Sequence, residues 1–230
     1  MACAAWLVSS ARRNVGLVDI FWSLFFLAAA AVYASGFGLV LALLCVWALR
    51  LAGYLAWRNW SAAEDRRYRE IRARNEPHFA LKSSYLVFGL QAVLAWLISA
   101  PLLYAVNAAQ PLVSGVVLVV AGIAVEAIAD WQLARFKARA ENAGRVMDRG
   151  LWRYTRHPNY FGECCVWWGF WLLAVPAGGA WTVFAPLLMT FLLLRVSGVT
   201  LLEKDIAERR PEYRDYVRRT NAFFPGPRRA

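Results

Sequence analysis

Charged side chains are scarce in this sequence, and those that occur are mostly basic. Only 18% of the 230 residues are charged and 60% are hydrophobic, with 26 lysines and arginines against 15 aspartates and glutamates. A soluble globular domain is about a quarter charged and about half apolar. The composition therefore argues against a soluble fold and indicates a chain that lies in a lipid bilayer.

Features that would indicate several particular functions are also missing. None of the four cysteines belongs to a C-x-x-C pair, so no metal or redox motif is present and we predict no metal site. The sequence shows no internal repeat, a symmetry that is common in secondary transporters, and a transporter is therefore disfavoured. The apolar residues 1–10 have no basic region ahead of them, so a cleavable signal peptide is not expected.

What the sequence does contain is long apolar runs. Six are long enough, or nearly so, to cross about 30 Å of hydrocarbon as helices. They cover residues 17–35, 37–57, 83–107, 111–133, 159–175 and 181–202. Residues 2–10 are too few to cross alone and predict either a short interfacial helix or the end of a seventh span that begins upstream. We expect an all-α polytopic bundle of six to seven transmembrane helices, with residues 1–230 in one integral membrane domain.

The basic residues mark one side of this bundle. Seven lie in 58–82, seven in 135–156 and eight in 203–230, whereas the connections at 108–110 and 176–180 contain none. With six spans, all three basic segments fall on the same side, which the positive-inside rule assigns to the cytoplasm. We expect a multi-pass protein of a bacterial inner membrane, with a cytoplasmic C-terminus and cytoplasmic interfacial helices in the first and third segments. Because juxtamembrane charge explains the net charge, membrane lipids are expected as neighbours and nucleic acid is not.

A few ionisable residues fall inside the predicted spans, where a charge costs several kcal/mol. They are Asp19, Arg50, Glu126, Asp130, Glu163 and Arg195. All lie towards the basic side, which predicts a polar cavity in the cytoplasmic half of the bundle. Arginines at the mouth of a cavity suit a ligand that carries phosphates, and carboxylates can accept hydrogen bonds from its hydroxyls or amides. The alternative is structural ion pairs between helices, for example between Arg195 and Asp130.

The stretch DRGLWRYTRHPNYFGE at 148–163, here called the signature stretch, is the most informative part of the chain. Pro158 is predicted to open the fifth span, where its missing N–H is tolerated. The helix N-terminus that follows presents backbone N–H groups, which favour an anionic ligand. His157 is a candidate general acid or base, or else a hydrogen-bonded loop histidine. Asn159 and Glu163, one turn apart, share a helix face.

The signature stretch resembles the C-terminal region of the steroid 5α-reductase family, which includes bacterial proteins of the DUF1295 type. The resemblance extends to LRLAGYLAWRNWSAAEDRRY at 49–68, ADWQLARFK at 129–137 and LRVSGVTLLEKDIAERRPEYRDYVRRTNAFFP at 194–225. It implies an NADPH-dependent oxidoreductase that reduces a carbon–carbon double bond conjugated to a ketone. The implied substrate is a lipid or steroid, such as a 3-oxo-Δ4 steroid, and no obligatory protein partner is evident. Residues 1–107 would shape the substrate pocket, and residues 111–230 would carry most of the cofactor site.

Individual positions match functional residues of the family. The resemblance implies a cofactor site made of Arg50, Tyr54, Asp130, Arg145, His157, Asn159, Glu163, Arg195 and Glu203. The candidate acids that would polarise the ketone are Asp19, Tyr160 and Glu163. Trp47, however, stands where the steroid reductases carry a ketone-polarising tyrosine, and Val199 and Glu203 replace a histidine and a tyrosine. These departures put steroid specificity in doubt and leave the other cofactor-facing positions intact.

The main alternative is a methyltransferase of the isoprenylcysteine type, which uses S-adenosylmethionine and shares the arginine-histidine-proline-x-tyrosine stretch. Those enzymes usually carry two adjacent glutamates near the end of the last span. This chain instead has Glu203 followed by Lys204, a single acid and a base. A non-catalytic membrane protein is the third reading of the sequence.

Overall fold

The structure is a computed structural model that describes residues 1–196, 199, 203 and 212–229. Every regular element in these residues is helical. In this described part of the chain, five helical stretches are long and apolar enough to cross a membrane: Val15–Tyr33, Leu39–Asn59, Phe79–Ile98, Val113–Lys137 and Gly179–Val196. They confirm the predicted all-α class and indicate a multi-pass membrane protein.

The α-helices are numbered here in chain order. They are α1 Ala2–Arg12, α2 Val18–Tyr33, α3 Leu39–Asn59, α4 Arg66–Asn75, α5 Phe79–Ser83, α6 Leu90–Ile98, α7 Leu102–Ala105, α8 Val113–Lys137, α9 Pro158–Ala174, α10 Phe184–Phe191 and α11 Glu212–Arg219. A 3₁₀ turn leads into α2, and π-helical turns at Ser84–Gly89 and Leu192–Val196 join α5 to α6 and extend α10. The predicted interfacial segments contain α4 and α11.

The third span differs most from its prediction. We predicted 83–107, but the helical stretch begins at Phe79 and ends at Ile98. Pro101 follows three residues later and has no backbone N–H to continue the helix. A separate short helix, α7, then begins at Leu102. The fifth predicted span, 159–175, coincides with α9, which has 17 residues.

The chain forms two compact units, Met1–Ala109 and Gln110–Ala230. In the first unit, α2 and α3 pack closely. The Ser23 hydroxyl donates a hydrogen bond to the Ala48 carbonyl over 2.9 Å, and the Phe26 and Trp47 ring centroids lie 5.8 Å apart. Both rings are fully buried. Trp47, which stands in place of the family's tyrosine, is therefore a core residue between two spans.

In the second unit, α8 and α9 approach each other through glycines. A Cβ atom added at Gly122 would lie 2.7 Å from the Gly162 carbonyl oxygen and 2.8 Å from the Val166 nitrogen. A Cβ at Gly162 would in turn lie 2.7 Å from the Glu126 nitrogen. Small residues that let two backbones touch are typical of helix pairs in membranes. This close contact buries Glu126 and Asp130 on α8, which are 2% and 4% exposed.

The signature stretch is attached to the end of α8 before it continues into α9. The Trp152 indole donates a hydrogen bond to the Ala129 carbonyl over 3.1 Å, and the Leu151 N–H donates to the Gln132 side chain over 2.9 Å. Gly150 has a positive φ of 60° and lies against Gln132, where a side chain has no room. Pro158 is the first residue of α9, as predicted.

Candidate functional site

Asn159 and Asp130 meet across the contact between α9 and α8. The Asn159 amide nitrogen donates a hydrogen bond to the Asp130 carboxylate over 3.3 Å. The amide oxygen of Asn159 is buried and has no hydrogen-bond partner among the residues that the structure describes. In the opposite amide orientation, the Asn159 oxygen would face the Asp130 carboxylate, and both groups would be acceptors. The contact with Asp130 therefore keeps the Asn159 oxygen pointing away from the carboxylate. A buried amide oxygen without a donor is costly, so the position suits a ligand that brings an N–H or O–H group.

Glu163 lies one turn after Asn159 on α9 and is 7% exposed. Glu126, one turn before Asp130 on α8, is also buried. Buried carboxylates are rare without a partner or a functional role. The predicted pair of Asn159 and Glu163 thus lies on a buried part of α9, at the end nearest the signature stretch.

A second polar cluster surrounds Glu203. Arg156 donates to both carboxylate oxygens, through Nε over 2.7 Å and Nη2 over 2.8 Å. His157 Nε2 lies 2.9 Å from Oε1 and the Tyr213 hydroxyl donates to the same oxygen over 3.0 Å. Because an ionised carboxylate only accepts hydrogen bonds, His157 Nε2 carries the hydrogen. Glu203 is therefore fully engaged by three side chains of its own unit.

The neighbours of Glu203 stabilise its ionised form. Burial opposes the ionised form of Glu203, but hydrogen bonds from His157 and Arg156, together with the arginine charge, outweigh it and lower the pKa of Glu203 to about 2. Burial and the adjacent carboxylate raise the pKa of Tyr213, which therefore stays protonated and donates. The cluster is an ionised carboxylate held by two charge-assisted contacts and a phenol.

The Glu203 cluster predicts a specific dependence of stability on pH. A carboxyl whose pKa falls from an ordinary 4.5 to about 2 on folding stabilises the fold above pH 4.5 and loses that contribution as the pH falls towards 2. Glu203→Gln should lower the melting temperature at pH 7, and its difference from the wild type should shrink between pH 4.5 and 2. Thermal melts in detergent across this range test it. Glu141→Gln, at an exposed position, is the control, and a constant difference down to pH 3 would contradict the prediction.

Helix α11 and the segment after it pack on the signature stretch. Arg156 Nη1 donates to the carbonyl oxygens of Thr220 and Val217, over 2.6 and 3.2 Å. The Tyr216 hydroxyl donates to the Trp152 carbonyl over 2.5 Å, and the Thr155 hydroxyl donates to the Phe223 carbonyl over 2.8 Å. The C-terminal segment therefore holds the backbone that leads into Asn159.

In the first unit, Asp19 is also an acceptor of hydrogen bonds. The Tyr68 hydroxyl donates to its Oδ1 over 2.5 Å, and Arg67 Nη2 donates to its Oδ2 over 3.2 Å. Gln91 donates to the Tyr68 oxygen over 3.4 Å. Burial and the Asp19 charge raise the pKa of Tyr68 well above its ordinary value, so Tyr68 stays protonated. These contacts tie α4 and α6 to the start of the first span.

The sequence pattern of one protein family matches residues 5–220, nearly the whole chain. This chain belongs to the DUF1295 family. The description of that family is "protein of unknown function". An uncharacterised protein of Schizosaccharomyces pombe is 35% identical over 95 residues, which make up 40% of this chain and 27% of the relative. The chain thus matches about a quarter of that relative's length, and no solved structure matches it.

The structure of this DUF1295 protein places the predicted site residues in both units. Asp19, Arg50 and Tyr54 lie in the first unit, where Arg58 stacks over Tyr54 with 5.5 Å from its guanidinium carbon to the ring centroid. The remaining predicted residues lie in the second unit: Asp130, Arg145, His157, Asn159, Tyr160, Glu163, Arg195 and Glu203.

Within the second unit, the predicted residues fall into groups. Asn159 contacts Asp130. His157 contacts Glu203 and stacks on Tyr160 with ring centroids 5.6 Å apart. Arg145 and Arg195 have exposed side chains, on the loop after α8 and on the π-helical turn after α10. The predicted roles of these residues toward a cofactor stay predictions.

Several residues of these clusters were absent from the sequence-based candidates. Tyr213 and Tyr68 are buried partners of Glu203 and Asp19, and Arg67 pairs with Asp19. Both tyrosines lie on short amphipathic helices, where an aromatic residue normally indicates contact with the membrane interface. Arg156, inside the signature stretch, was counted only among the basic residues of 135–156. Asp19 and Glu203 each lie at the end of a predicted span, next to a basic segment. This position was the available indication that each acid has partners in such a segment.

Proposed function

We propose that this protein is an NADPH-dependent membrane reductase of the steroid 5α-reductase type. It would reduce a carbon–carbon double bond conjugated to a ketone in a lipid-like substrate, and a 3-oxo-Δ4 steroid is the substrate class to test first. The observation that carries the proposal is the buried, unpartnered amide oxygen of Asn159, oriented by Asp130 and one turn from Glu163. An amide oxygen and a carboxylate on one helix face suit the carboxamide N–H₂ group of a nicotinamide.

The residues of the second unit fit this cofactor. Asn159 would accept a hydrogen bond from the carboxamide, and the carboxylates of Asp130 and Glu163 would fix the direction of approach. When bound, NADPH supplies the hydride that goes to the β carbon of the enone. The protein must then hold an acid against the carbonyl oxygen, because negative charge develops there. Asp19, Tyr160 and Glu163 remain the proposed acids.

Asp19 would have to change its contacts to fill that role. Its carboxylate accepts from Tyr68 and Arg67, so it now serves as an acceptor. Tyr160 is half-buried and stacks on His157, and a phenol hydroxyl can donate a hydrogen bond. We also propose that residues 1–107 form the substrate pocket and that residues 111–230 form most of the cofactor site.

The decisive experiment is to purify the protein in detergent and identify the nucleotide that co-purifies. We expect NADP⁺ or NADPH, and we expect NADPH oxidation when an enone such as progesterone is added. Transfer of a labelled methyl group from S-adenosylmethionine, with no NADPH oxidation on any enone tried, would replace the reductase proposal by the methyltransferase alternative.

We also propose that α9 is a sixth membrane span and that the three basic segments face the cytoplasm of a bacterial cell. Its 17 residues lie at the lower limit for crossing the hydrocarbon layer, and its glycine contact with α8 is typical of membrane helices. In a cysteine-free background, Ala109→Cys and Ala177→Cys should react with an impermeant maleimide added outside the cell. Ala63→Cys should react only after permeabilisation. Labelling of Ala63→Cys from outside, or protection of Ala177→Cys, would contradict this topology.

A further inference from the structure

Two neighbouring clefts lie beside the loop that joins α8 to the signature stretch. One has a volume of about 390 Å³ and the other about 340 Å³, both within the range of small-molecule sites, about 300–1,000 Å³. The two clefts share Phe136, Asn142, Arg145 and Arg149. The larger, here called the arginine cleft, is also lined by Asp148, Glu212, Asp215, Tyr216, Arg219 and Arg228.

Four arginines line the arginine cleft against three carboxylates. Two of the carboxylates are already neutralised: Arg228 donates to the Asp148 side chain over 2.6 Å, and Asp215 is paired with Arg218, which does not line the cleft. Glu212 is the third carboxylate. The lining of the cleft therefore has a net positive charge.

Contacts with Asp148 fix the orientation of Arg228 in the arginine cleft. Arg228 is held from one side by the Asp148 carbonyl, over 2.8 Å, and by its carboxylate. Its Nε is buried, and no residue in the described part of the chain accepts a hydrogen bond from it. A buried guanidinium N–H without an acceptor is costly. An oxygen-rich anion in the cleft would supply that acceptor.

The cleft lies further along the helix that carries Asp130. Phe136, in its wall, is six residues beyond Asp130 on α8, and six residues of α-helix rise about 9 Å. That distance is within the length of an extended dinucleotide, so one whose nicotinamide contacts Asn159 can reach the arginine cleft with its other half.

We propose that the arginine cleft binds a phosphate monoester, and that Arg149 and Arg219 make the protein select NADPH over NADH by contacting its 2′-phosphate. The proposal rests on the proposed function for the identity of the ligand. A dianionic monoester suits several converging guanidinium groups, since each can donate charge-assisted hydrogen bonds to its oxygens. Both arginines have exposed side chains, so their replacement should leave the fold intact.

The test measures binding and needs no turnover. The purified protein in detergent is titrated calorimetrically with adenosine 2′,5′-bisphosphate and with adenosine 5′-diphosphate, which lacks the 2′-phosphate. We expect tighter binding of the bisphosphate. Arg149→Ala and Arg219→Ala should each weaken its binding by about tenfold or more, the loss of one charge-assisted contact, and should leave binding of the diphosphate unchanged. Arg214→Ala, on the same helix α11 but not lining the cleft, is the control.

The outcomes separate this proposal from the proposed function. Equal binding of the two nucleotides, or equal losses for both in the two variants, would overturn the cleft assignment even if enones are reduced. Selective binding that depends on Arg149 and Arg219 would support it even if no enone is reduced. Phosphatidic acid, a lipid phosphate monoester, is titrated in a third arm. If it binds in an Arg149-dependent way while the bisphosphate does not, a lipid headgroup occupies the cleft and the nucleotide assignment is wrong.

Discussion

Replacing Gly122 with alanine is expected to destabilise the protein by about 1–3 kcal/mol, the usual effect of overpacking a tight contact. The added methyl group would lie 2.7 Å from the Gly162 carbonyl oxygen and 2.8 Å from the Val166 nitrogen. Both are backbone atoms of α9, so no side-chain rotation can relieve the clash and the two helices must move apart. Separation of the helices would also break the contact between Asn159 and Asp130. Under the proposed function, binding of NADPH should therefore weaken in parallel.

Gly53→Ala provides the matched control for Gly122→Ala. Gly53 lies inside α3, another helix long enough to cross the membrane, and a Cβ there would meet nothing within 4 Å. Melting temperatures of both variants should be measured in the same detergent, where each kcal/mol corresponds to roughly 2–4 °C for a chain of this size. Equal melting temperatures for Gly122→Ala and the wild type would show that α8 and α9 do not touch as described.

Glu163→Gln is expected to reduce NADPH-dependent turnover of an enone by about 100-fold or more, because a misplacement of about 1 Å at the reacting atoms costs that much. Under the proposed function, Glu163 and Asn159 hold the nicotinamide carboxamide from one face of α9, and the neutral amide would weaken that hold. Cofactor affinity should fall as well. Asn159→Ala should have an effect in the same direction, since it removes the unpartnered amide oxygen.

A purely structural role for Glu163 makes a different prediction. If Glu163 only stabilises the contact between helices, Glu163→Gln should lower the melting temperature and leave the turnover of the folded fraction unchanged. Both quantities are therefore measured on the same preparation. Cys165→Ala, on the same helix and half-buried, is the control for general disturbance of α9. A normal rate per folded molecule in Glu163→Gln would remove Glu163 from the catalytic candidates.

Much of the fold follows from the lengths of the apolar runs. Five of the six predicted runs coincide with helices long enough to cross a membrane, because an apolar run in lipid can satisfy its own backbone hydrogen bonds as an α-helix. The third helical stretch ends at Ile98, nine residues before the predicted end at 107. The prediction used hydropathy, which does not take into account that Pro101 interrupts the helix. The glycines at 115 and 122 on α8, and at 162 and 169 on α9, are each seven residues apart. That spacing was an unused indication that the two helices touch.

The candidate site could be predicted only in part, for a physical reason. Asn159 and Asp130 were found because each matched a family motif, and the helix pair then brought them within 3.3 Å. Of the partners described for Glu203, His157 was a candidate but Arg156 was not, because Arg156 is 47 residues away and nothing local specifies which cation meets which acid. Contacts of that kind depend on tertiary packing, which hydrophobic periodicity does not describe.

The packing of α11 and the segment after it on the signature stretch determines when during synthesis the site can be completed. Arg156 donates a hydrogen bond to the carbonyl oxygen of Thr220, which lies 64 residues later in the chain. At translation rates of roughly 5–20 residues per second, about 3–13 s separate the synthesis of these two residues. All of α9 is synthesised within that interval, before Arg156 has its full set of acceptors on Glu203, Val217 and Thr220. A chain that stops within that interval carries an uncompensated guanidinium beside the N-terminus of α9, so the site is completed only after the segment that contains Thr220 has been made.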